Sequence, residues 1–189
     1  IDRPQGPLGA LQLAWFWMRA FFRSSVKYIF LVILLLWAFF ETAVAAPHFL
    51  SYFNQFGDGT RSGYRFVTDS NYDWGQDLLR LKGWVEKHPE VDRIAVDYFG
   101  GGNPKYYLGA KAEGWSSSRG NPASSGIRWL AVSVNTLQGA IQKTAPGFER
   151  KPEDEYRWLV QLRPLGPGPG SVPEPDFRAG TSIFIYKLD

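Results

Sequence analysis

The chain has 189 residues, no cysteine and a formal net charge of +3 at pH 7. The lack of cysteine excludes disulfides, thiolate nucleophiles and cysteine-based metal sites, and a basic excess this small does not indicate a nucleic-acid partner. The residues that follow Pro47 are enough for one domain of ordinary size with a hydrophobic core of its own.

The amino-terminal region is predicted to lie at a membrane surface. Residues 1–9 contain two prolines and two glycines, which predict an irregular loop. Residues 8–22 (LGALQLAWFWMRAFF) are apolar and rich in Trp and Phe, but too few to cross a bilayer alone. They predict an interfacial helix or the end of a preceding span; the alternative is a loop that packs on other membrane helices. Because the chain begins with Ile1 rather than Met, we expect a fragment or a processed product.

The stretch Tyr28–Ala46 (YIFLVILLLWAFFETAVAA) is almost entirely apolar, with Glu41 as its only charged residue. In helical form it extends about 28 Å, close to the ~30 Å hydrocarbon core of a bilayer. Glu41 lies near the end of the stretch, where water and lipid headgroups are within reach. The alternative is a buried core helix, but such helices rarely run this long without polar residues. The stretch therefore predicts a transmembrane helix.

The charges that flank this helix predict its orientation. Arg19, Arg23 and Lys27 precede it, whereas the next Lys or Arg is Arg61. Because positive residues favour the cytoplasmic side, the amino-terminal end is predicted to be cytoplasmic. The residues after Pro47 are then extracytoplasmic, and the chain is an integral membrane protein with the lipid bilayer as a partner.

Four aromatic residues follow the predicted span: Phe49, Tyr52, Phe53 and Phe56. Their i, i+3, i+4, i+7 spacing predicts an amphipathic helical turn along the outer membrane surface. The predicted organisation is therefore a cytoplasmic or interfacial segment (1–27), a transmembrane helix (28–46), a membrane-surface connector (47–62) and an extracytoplasmic domain (63–189).

The extracytoplasmic part alternates between predicted strands and helices. Strands are predicted at Tyr64–Asp69, Arg93–Phe99, Arg128–Val134 and Thr181–Leu188. Helices are predicted from Trp74 to Lys87 with Asp73 as N-cap, from Pro104 to Tyr107, and over residues 135–141, begun by Asn135 or Thr136. Residues 156–162 fit either a helix or a strand, and residues 112–125 and 163–176 are predicted loops. This order predicts an α/β domain with a mostly parallel sheet of about four strands.

A run of polar residues joins the first predicted strand to the first predicted helix. Because ligands often bind at the carboxyl ends of strands in α/β sheets, we predict substrate binding by Asp69, Asn71, Asp73, Trp74, Gln76 and Asp77. Carboxylates and amides hydrogen-bond sugar hydroxyls, an indole stacks on a sugar face, and paired carboxylates can hold a divalent cation. The alternative is structural: Asp73 caps the helix, Asn71 forms a turn and Trp74 packs in the core.

The other motifs do not predict a catalytic centre. Gly100–Gly102 follow a predicted strand, but they match neither GxGxxG nor a Walker loop, so a tight turn is favoured over a phosphate site. His48 and His88 are forty residues apart and do not suggest a metal or catalytic pair. No GxSxG or HExxH motif occurs. We therefore predict no catalytic residue, no metal ligand and no cofactor in this chain.

The run PHFLSYFNQFGDGTRSGYRFVTDSNYDWGQDLLRLKGWV resembles the segment that follows the final membrane span in bacterial family 39 glycosyltransferases, the dolichyl-phosphate-mannose-protein mannosyltransferase-like enzymes. The matching positions are Pro47, His48, Phe49, Tyr52, Phe53, Asn54, Gly63, Tyr64, Asp69, Ser70, Asn71, Asp73, Trp74, Gly75, Gln76, Asp77 and Leu78. Weaker likeness extends the resemblance over residues 45–189, and Gln55 stands where the family pattern has Glu.

The resemblance implies that the chain is the last helix and soluble domain of a polytopic bacterial inner-membrane enzyme. Such an enzyme transfers a sugar from a polyprenyl-phosphate carrier to an extracytoplasmic acceptor. Its catalytic acids lie in an early loop outside this chain, so the domain itself is expected to be non-catalytic, and any divalent cation would belong to the parent enzyme. The alternative is a stand-alone membrane-anchored binding or scaffolding domain without catalytic activity.

Overall fold

The structure, a computed structural model, describes residues 7–144 and 146–188. Its helices and strands are, in chain order, α1 (Pro7–Ala45), α2 (Leu78–Lys87), β1 (Ile94–Asp97), α3 (Pro104–Leu108), β2 (Ala112–Gly114), β3 (Trp129–Ser133), α4 (Val134–Ile141), α5 (Arg157–Leu162), β4 (Phe177–Ala179) and β5 (Ile183–Lys187). The chain divides into two compact units, one ending at Ala46 and one beginning at Pro47.

The first unit is a single long helix. α1 has 39 residues and extends about 58 Å, so it is long and apolar enough to span a membrane. It includes both the predicted span and residues 8–22, which therefore continue the helix rather than form a separate element. Pro7 occupies the first turn, where its missing N–H has no helical acceptor in any case. Residues 1–6 of the predicted amino-terminal loop lie outside the described residues.

The second unit contains a mixed sheet of five strands in the order β2-β1-β3-β5-β4. β1 pairs in parallel with β2 and with β3. β5 pairs antiparallel with both β3 and β4. The predicted α/β class is confirmed, as are the predicted strands that became β1, β3 and β5. The predicted mostly parallel sheet of about four strands is wrong, because half of the strand pairings are antiparallel.

The two faces of the sheet bury separate hydrophobic clusters. In β3, Leu130 and Val132 face the cluster that contains α4 and α5 residues, whereas Trp129 and Ala131 face the α2 and α3 cluster. Every residue of β3 is buried. Helices on both faces explain why this strand is almost wholly apolar instead of alternating with polar residues.

The first predicted strand, Tyr64–Asp69, does not form. Its residues fold into two short 3-10 turns, and Asp69 has φ +55°, which is incompatible with a strand. The Tyr64 ring instead packs edge-on against Phe184 in the core, with 5.2 Å between ring centroids. At Gly63 a Cβ would lie 2.2 Å from the Phe53 ring, so the backbone approaches this side chain too closely for any larger residue. Tertiary packing therefore overrides the local β propensity of this segment.

Two strands and several boundaries were not predicted. β2 and β4 have three residues each, too few to show an alternating pattern, and β2 lies within a predicted loop. Residues 156–162, left open between helix and strand, form α5. The membrane-surface connector, residues 47–62, forms short 3-10 turns at 49–51 and 55–57 rather than a regular amphipathic helix.

Candidate functional site

The residues predicted to bind substrate form the polar loop, defined here as residues 69–77. The loop begins with the turn Asp69–Asn71 and leads into α2. α2 begins four residues later than predicted, and Asp77 rather than Asp73 occupies the N-cap position. The side chain of Asp77 makes no capping hydrogen bond. Asp73 Oδ1 accepts a hydrogen bond from Gly75 N at 2.8 Å, which closes a turn two residues on instead of capping α2.

Asp77 fastens the polar loop to the turn between β4 and β5. Its carboxylate is fully buried, and Oδ2 accepts hydrogen bonds from Thr181 N at 2.7 Å and Ser182 N at 2.8 Å. Oδ1 accepts from Arg80 at 2.5 Å. Gly180, in the same turn, has φ +67°, and a Cβ there would lie 2.1 Å from Asp77 Oδ1. The Asp77 carboxylate therefore fills the space that the side chain of any residue other than glycine at position 180 would need.

Asp73 is also fully buried but is less well satisfied. Its Oδ2 and the nearby Ser182 Oγ are both buried, and neither makes a hydrogen bond of standard geometry within the described residues. Burial raises the pKa of Asp73 to about 6, although the Gly75 N–H, the Ser182 hydroxyl and the Asn135 N–H each favour the charged form. The nearby Asp77 carboxylate raises this pKa further. The loop therefore contains a firmly bound carboxylate, Asp77, and a second buried carboxylate, Asp73, whose ionisation is disfavoured.

Gln76 connects the polar loop to a distant part of the chain. Its Oε1 accepts from Trp74 N at 2.7 Å, and its Nε2 donates to Ser51 Oγ and to Tyr72 O, both at 3.1 Å. Ser51 Oγ lies 2.7 Å from Thr181 Oγ1, across 130 residues of sequence. Sequence reasoning missed Ser51 and Thr181 because no local pattern links segments so far apart. Both ends of the Gln76 side-chain amide are thus hydrogen-bonded within the protein.

Trp74 is the most exposed large side chain of the polar loop, at 61% of its surface. Its indole Nε1 donates to Ser70 O at 2.6 Å, which fixes the ring against the preceding turn. Asp69 and Asn71 are also exposed, and Asp69 N donates to Asn135 Oδ1 at 3.0 Å, which ties the turn to α4. A held indole beside exposed polar side chains is an arrangement that can contact a sugar face and its hydroxyls.

The six predicted residues thus divide into two groups. Trp74, Asp69 and Asn71 are exposed enough to touch a ligand directly. Asp73 and Asp77 have no exposed surface, and half-buried Gln76 uses one end of its amide toward Trp74 N and the other toward Ser51, outside the loop. Substrate binding by the exposed group stays a prediction, and the other group is placed to hold the loop in shape.

The glycine-rich turn after β1 packs closely against the polar loop. Tyr98 OH donates to Gly75 O at 2.7 Å, and a Cβ at Gly75 would lie 2.2 Å from that hydroxyl oxygen. Gly100 has φ +142°, and a Cβ there would lie 2.8 Å from the Gly75 Cα. Close approach of the two backbones accounts for these glycines without a phosphate ligand.

Neither histidine lies in a cluster of metal-binding side chains. Among residues 7–144 and 146–188, no group of three or more His, Asp or Glu side chains is arranged to hold a metal ion. His88 Nδ1 lies 2.7 Å from Trp84 O, and its ring stacks on the Trp84 indole. Burial, with a smaller effect from the Arg80 charge, lowers the pKa of His48. A divalent cation in the parent enzyme stays a prediction.

Comparisons of the chain with family models, curated proteins and solved structures found no match. The assignment of function therefore depends on the sequence pattern of residues 47–78 and on the geometry of the polar loop.

Proposed function

We propose that this chain is the carboxy-terminal helix and soluble domain of a polytopic glycosyltransferase of the bacterial inner membrane. The enzyme would transfer a sugar from a polyprenyl-phosphate carrier to an extracytoplasmic acceptor. The domain itself would be non-catalytic and would contribute acceptor contacts or cover the active-site face. The observation that carries the proposal is the family-like run of residues 47–78, which directly follows a helix able to span a membrane.

The geometry of the polar loop supports a role for this run in ligand contact. Asp73, Gln76 and Asp77 use hydrogen bonds to fix the loop, and the loop presents Trp74 at the surface. A side chain held in advance loses less conformational entropy on binding, which favours recognition of a weakly bound sugar. The proposal therefore assigns ligand contact to Trp74, Asn71 and Asp69.

The exposed apolar side chains of the membrane-surface connector, residues 47–62, support its proposed membrane-facing role. Phe49, Leu50 and Phe56 are exposed, the last at 92% of its surface. Water-exposed aromatic and apolar side chains are costly in a soluble domain but suit the headgroup region of a bilayer. The proposal places this connector against the outer leaflet.

The orientation of the chain has its own test. Because the chain lacks cysteine, Ser70→Cys and Arg19→Cys each introduce a single thiol at an exposed position. In intact cells an impermeant maleimide is expected to label Ser70→Cys, and to label Arg19→Cys only after the cells are opened. Labelling of Arg19→Cys alone in intact cells would reverse the proposed topology.

The ligand role of Trp74 is tested with Trp74→Ala in the complete enzyme. Loss of an aromatic contact of about 1.5 kcal/mol lowers transfer roughly tenfold. The free energy of unfolding should change little, because the ring is largely exposed. Tyr106→Ala is the matched control, since Tyr106 is an exposed aromatic on α3 and does not belong to the loop. Equal transfer by Trp74→Ala and wild type would remove the ligand role.

The second candidate is a membrane-anchored binding domain without catalysis. Burial of two of the three carboxylates of the polar loop, Asp73 and Asp77, favours it, since the surface that remains suits binding better than proton transfer. The reading frame upstream of Ile1 separates the two candidates. About ten further membrane spans are expected for the transferase, whereas a start codon directly before Ile1 would support the anchored binding domain.

A further inference from the structure

A polar cleft, distinct from the polar loop, lies at the carboxyl ends of the parallel strands. Its volume is about 270 Å³. β1 contributes Asp97 at its last position, Ser116 and Ser117 follow β2, and Thr136 lies in the first turn of α4, directly after β3. In open α/β sheets this edge is where ligands bind, because the loops that leave neighbouring strands converge there. None of these residues belongs to the polar loop.

The opposite wall of the cleft comes from residues 150–156. Tyr156 OH donates to Asp97 Oδ2 at 2.7 Å, and Tyr156 N donates to Ser117 Oγ at 2.8 Å. Arg150 donates to Ala140 O and, at 2.7 Å, to Gln142 O, so the carboxyl-terminal end of α4 holds its guanidinium. Asp154 adds an exposed carboxylate at the rim. The cleft is thus built from side chains of four separate segments.

The donor and acceptor set identifies the ligand chemistry. Asp97 and Asp154 accept hydrogen bonds, Arg150 donates, and the Ser116 and Thr136 hydroxyls do both. Two carboxylates disfavour an anion, and the Arg150 guanidinium in the same lining disfavours a metal cation. Burial raises the pKa of Asp97, which further disfavours a purely ionic role. A neutral molecule with several hydroxyl groups satisfies all of these side chains at once.

We propose that this cleft binds a single sugar ring. Its volume is close to the lower limit of ~300 Å³ for small-molecule pockets, which suits one ring rather than an extended oligosaccharide. Asn135 Oδ1 accepts a hydrogen bond from Asp69 N, whereas the next residue of α4, Thr136, lines the cleft. Trp74 does not line the cleft, and the proposal does not depend on transferase activity.

Saturation-transfer NMR on the full chain in lipid nanodiscs tests the proposal, with D-mannose, D-glucose and N-acetyl-D-glucosamine as probes. Nanodiscs avoid detergents with sugar headgroups, which would compete for the site. Thr136→Val removes one hydroxyl at nearly constant shape, and Asp154→Asn removes one charge. Each is expected to weaken binding of the preferred sugar roughly tenfold. Glu153→Gln is the matched control, because Glu153 is exposed in the same 3-10 turn but does not line the cleft.

The variants also separate this cleft from the polar loop. A sugar held at Trp74 instead would give a signal that Thr136→Val and Asp154→Asn leave unchanged. The proposal is overturned if the folded wild-type chain gives no saturation transfer to any of the three sugars. It is equally overturned if Thr136→Val and Asp154→Asn bind like wild type, or if Ca²⁺ rather than a sugar shifts the resonances of the cleft.

Discussion

Asp77→Ala is expected to lower the free energy of unfolding by about 3 to 5 kcal/mol. The change leaves Thr181 N and Ser182 N buried without an acceptor and removes the charged partner of Arg80. For a unit of this size the midpoint of thermal unfolding should fall by roughly 10 to 20 °C. Differential scanning fluorimetry on the chain in nanodiscs measures this shift.

Two further variants isolate the cause. Asp77→Asn keeps one acceptor oxygen for the β4–β5 turn and should lose clearly less stability than Asp77→Ala. Glu90→Ala removes an exposed carboxylate just beyond α2 and should change the midpoint little. If Asp77→Ala unfolded at the same temperature as Glu90→Ala, the carboxylate would not fasten the loop.

Asp73→Asn is expected to stabilise the domain near neutral pH. The pKa of Asp73 is about 6 in the folded protein, against an ordinary value of 3.8 for the aspartate side chain. The folded state therefore binds the proton more tightly than the unfolded state. Wild-type stability therefore falls as pH rises between about 4 and 6, by up to about 3 kcal/mol. Asn cannot ionise, and its amide oxygen can still accept from Gly75 N. The variant should thus exceed wild type in stability above about pH 6, and the difference should close near pH 4.

Chemical denaturation across this pH range measures the difference directly. Asp69→Asn is the control, because Asp69 is exposed in the same loop and should show no comparable pH-dependent gain. A wild type more stable than Asp73→Asn at pH 7, with a gap that widens as pH rises, would mean that the charged carboxylate stabilises the fold. The direction of the change therefore distinguishes a buried acid whose ionisation is disfavoured from a charged carboxylate that stabilises the turn at Gly75.

The parts of the fold that were predictable are those with long or strongly patterned sequence signals. The apolar stretch Tyr28–Ala46, most of which lies in α1, and the strand Arg128–Val134, which contains β3, were predicted from their apolar residues, whereas the continuity of residues 8–22 with that stretch in one helix was not. β4 pairs with β5 through only three residues, and its partner is chosen by tertiary contacts. The antiparallel insertion of β5 beside β3 likewise has no local signal, so the sheet was expected to be mostly parallel.

The same limit applies to the polar loop and the cleft. The sequence identified the loop because its polar residues are consecutive, but burial of Asp73 and Asp77 depends on Ser182 and Thr181, more than one hundred residues away. The cleft was missed because its walls come from distant segments. Asp97, two residues before the end of the predicted strand Arg93–Phe99, was the available signal, since strand ends are where α/β ligands bind.

We propose that this chain completes a membrane enzyme that uses a polyprenyl-phosphate-linked sugar. The most direct measurement is sugar transfer by membranes that contain the complete reading frame, compared with the same frame ended before Pro47. We expect radiolabelled sugar to pass from the lipid carrier to an extracytoplasmic acceptor with the complete frame, and at least tenfold less with the truncated one at equal expression. Absence of transfer from any polyprenyl-phosphate-linked sugar by the complete frame would contradict the account.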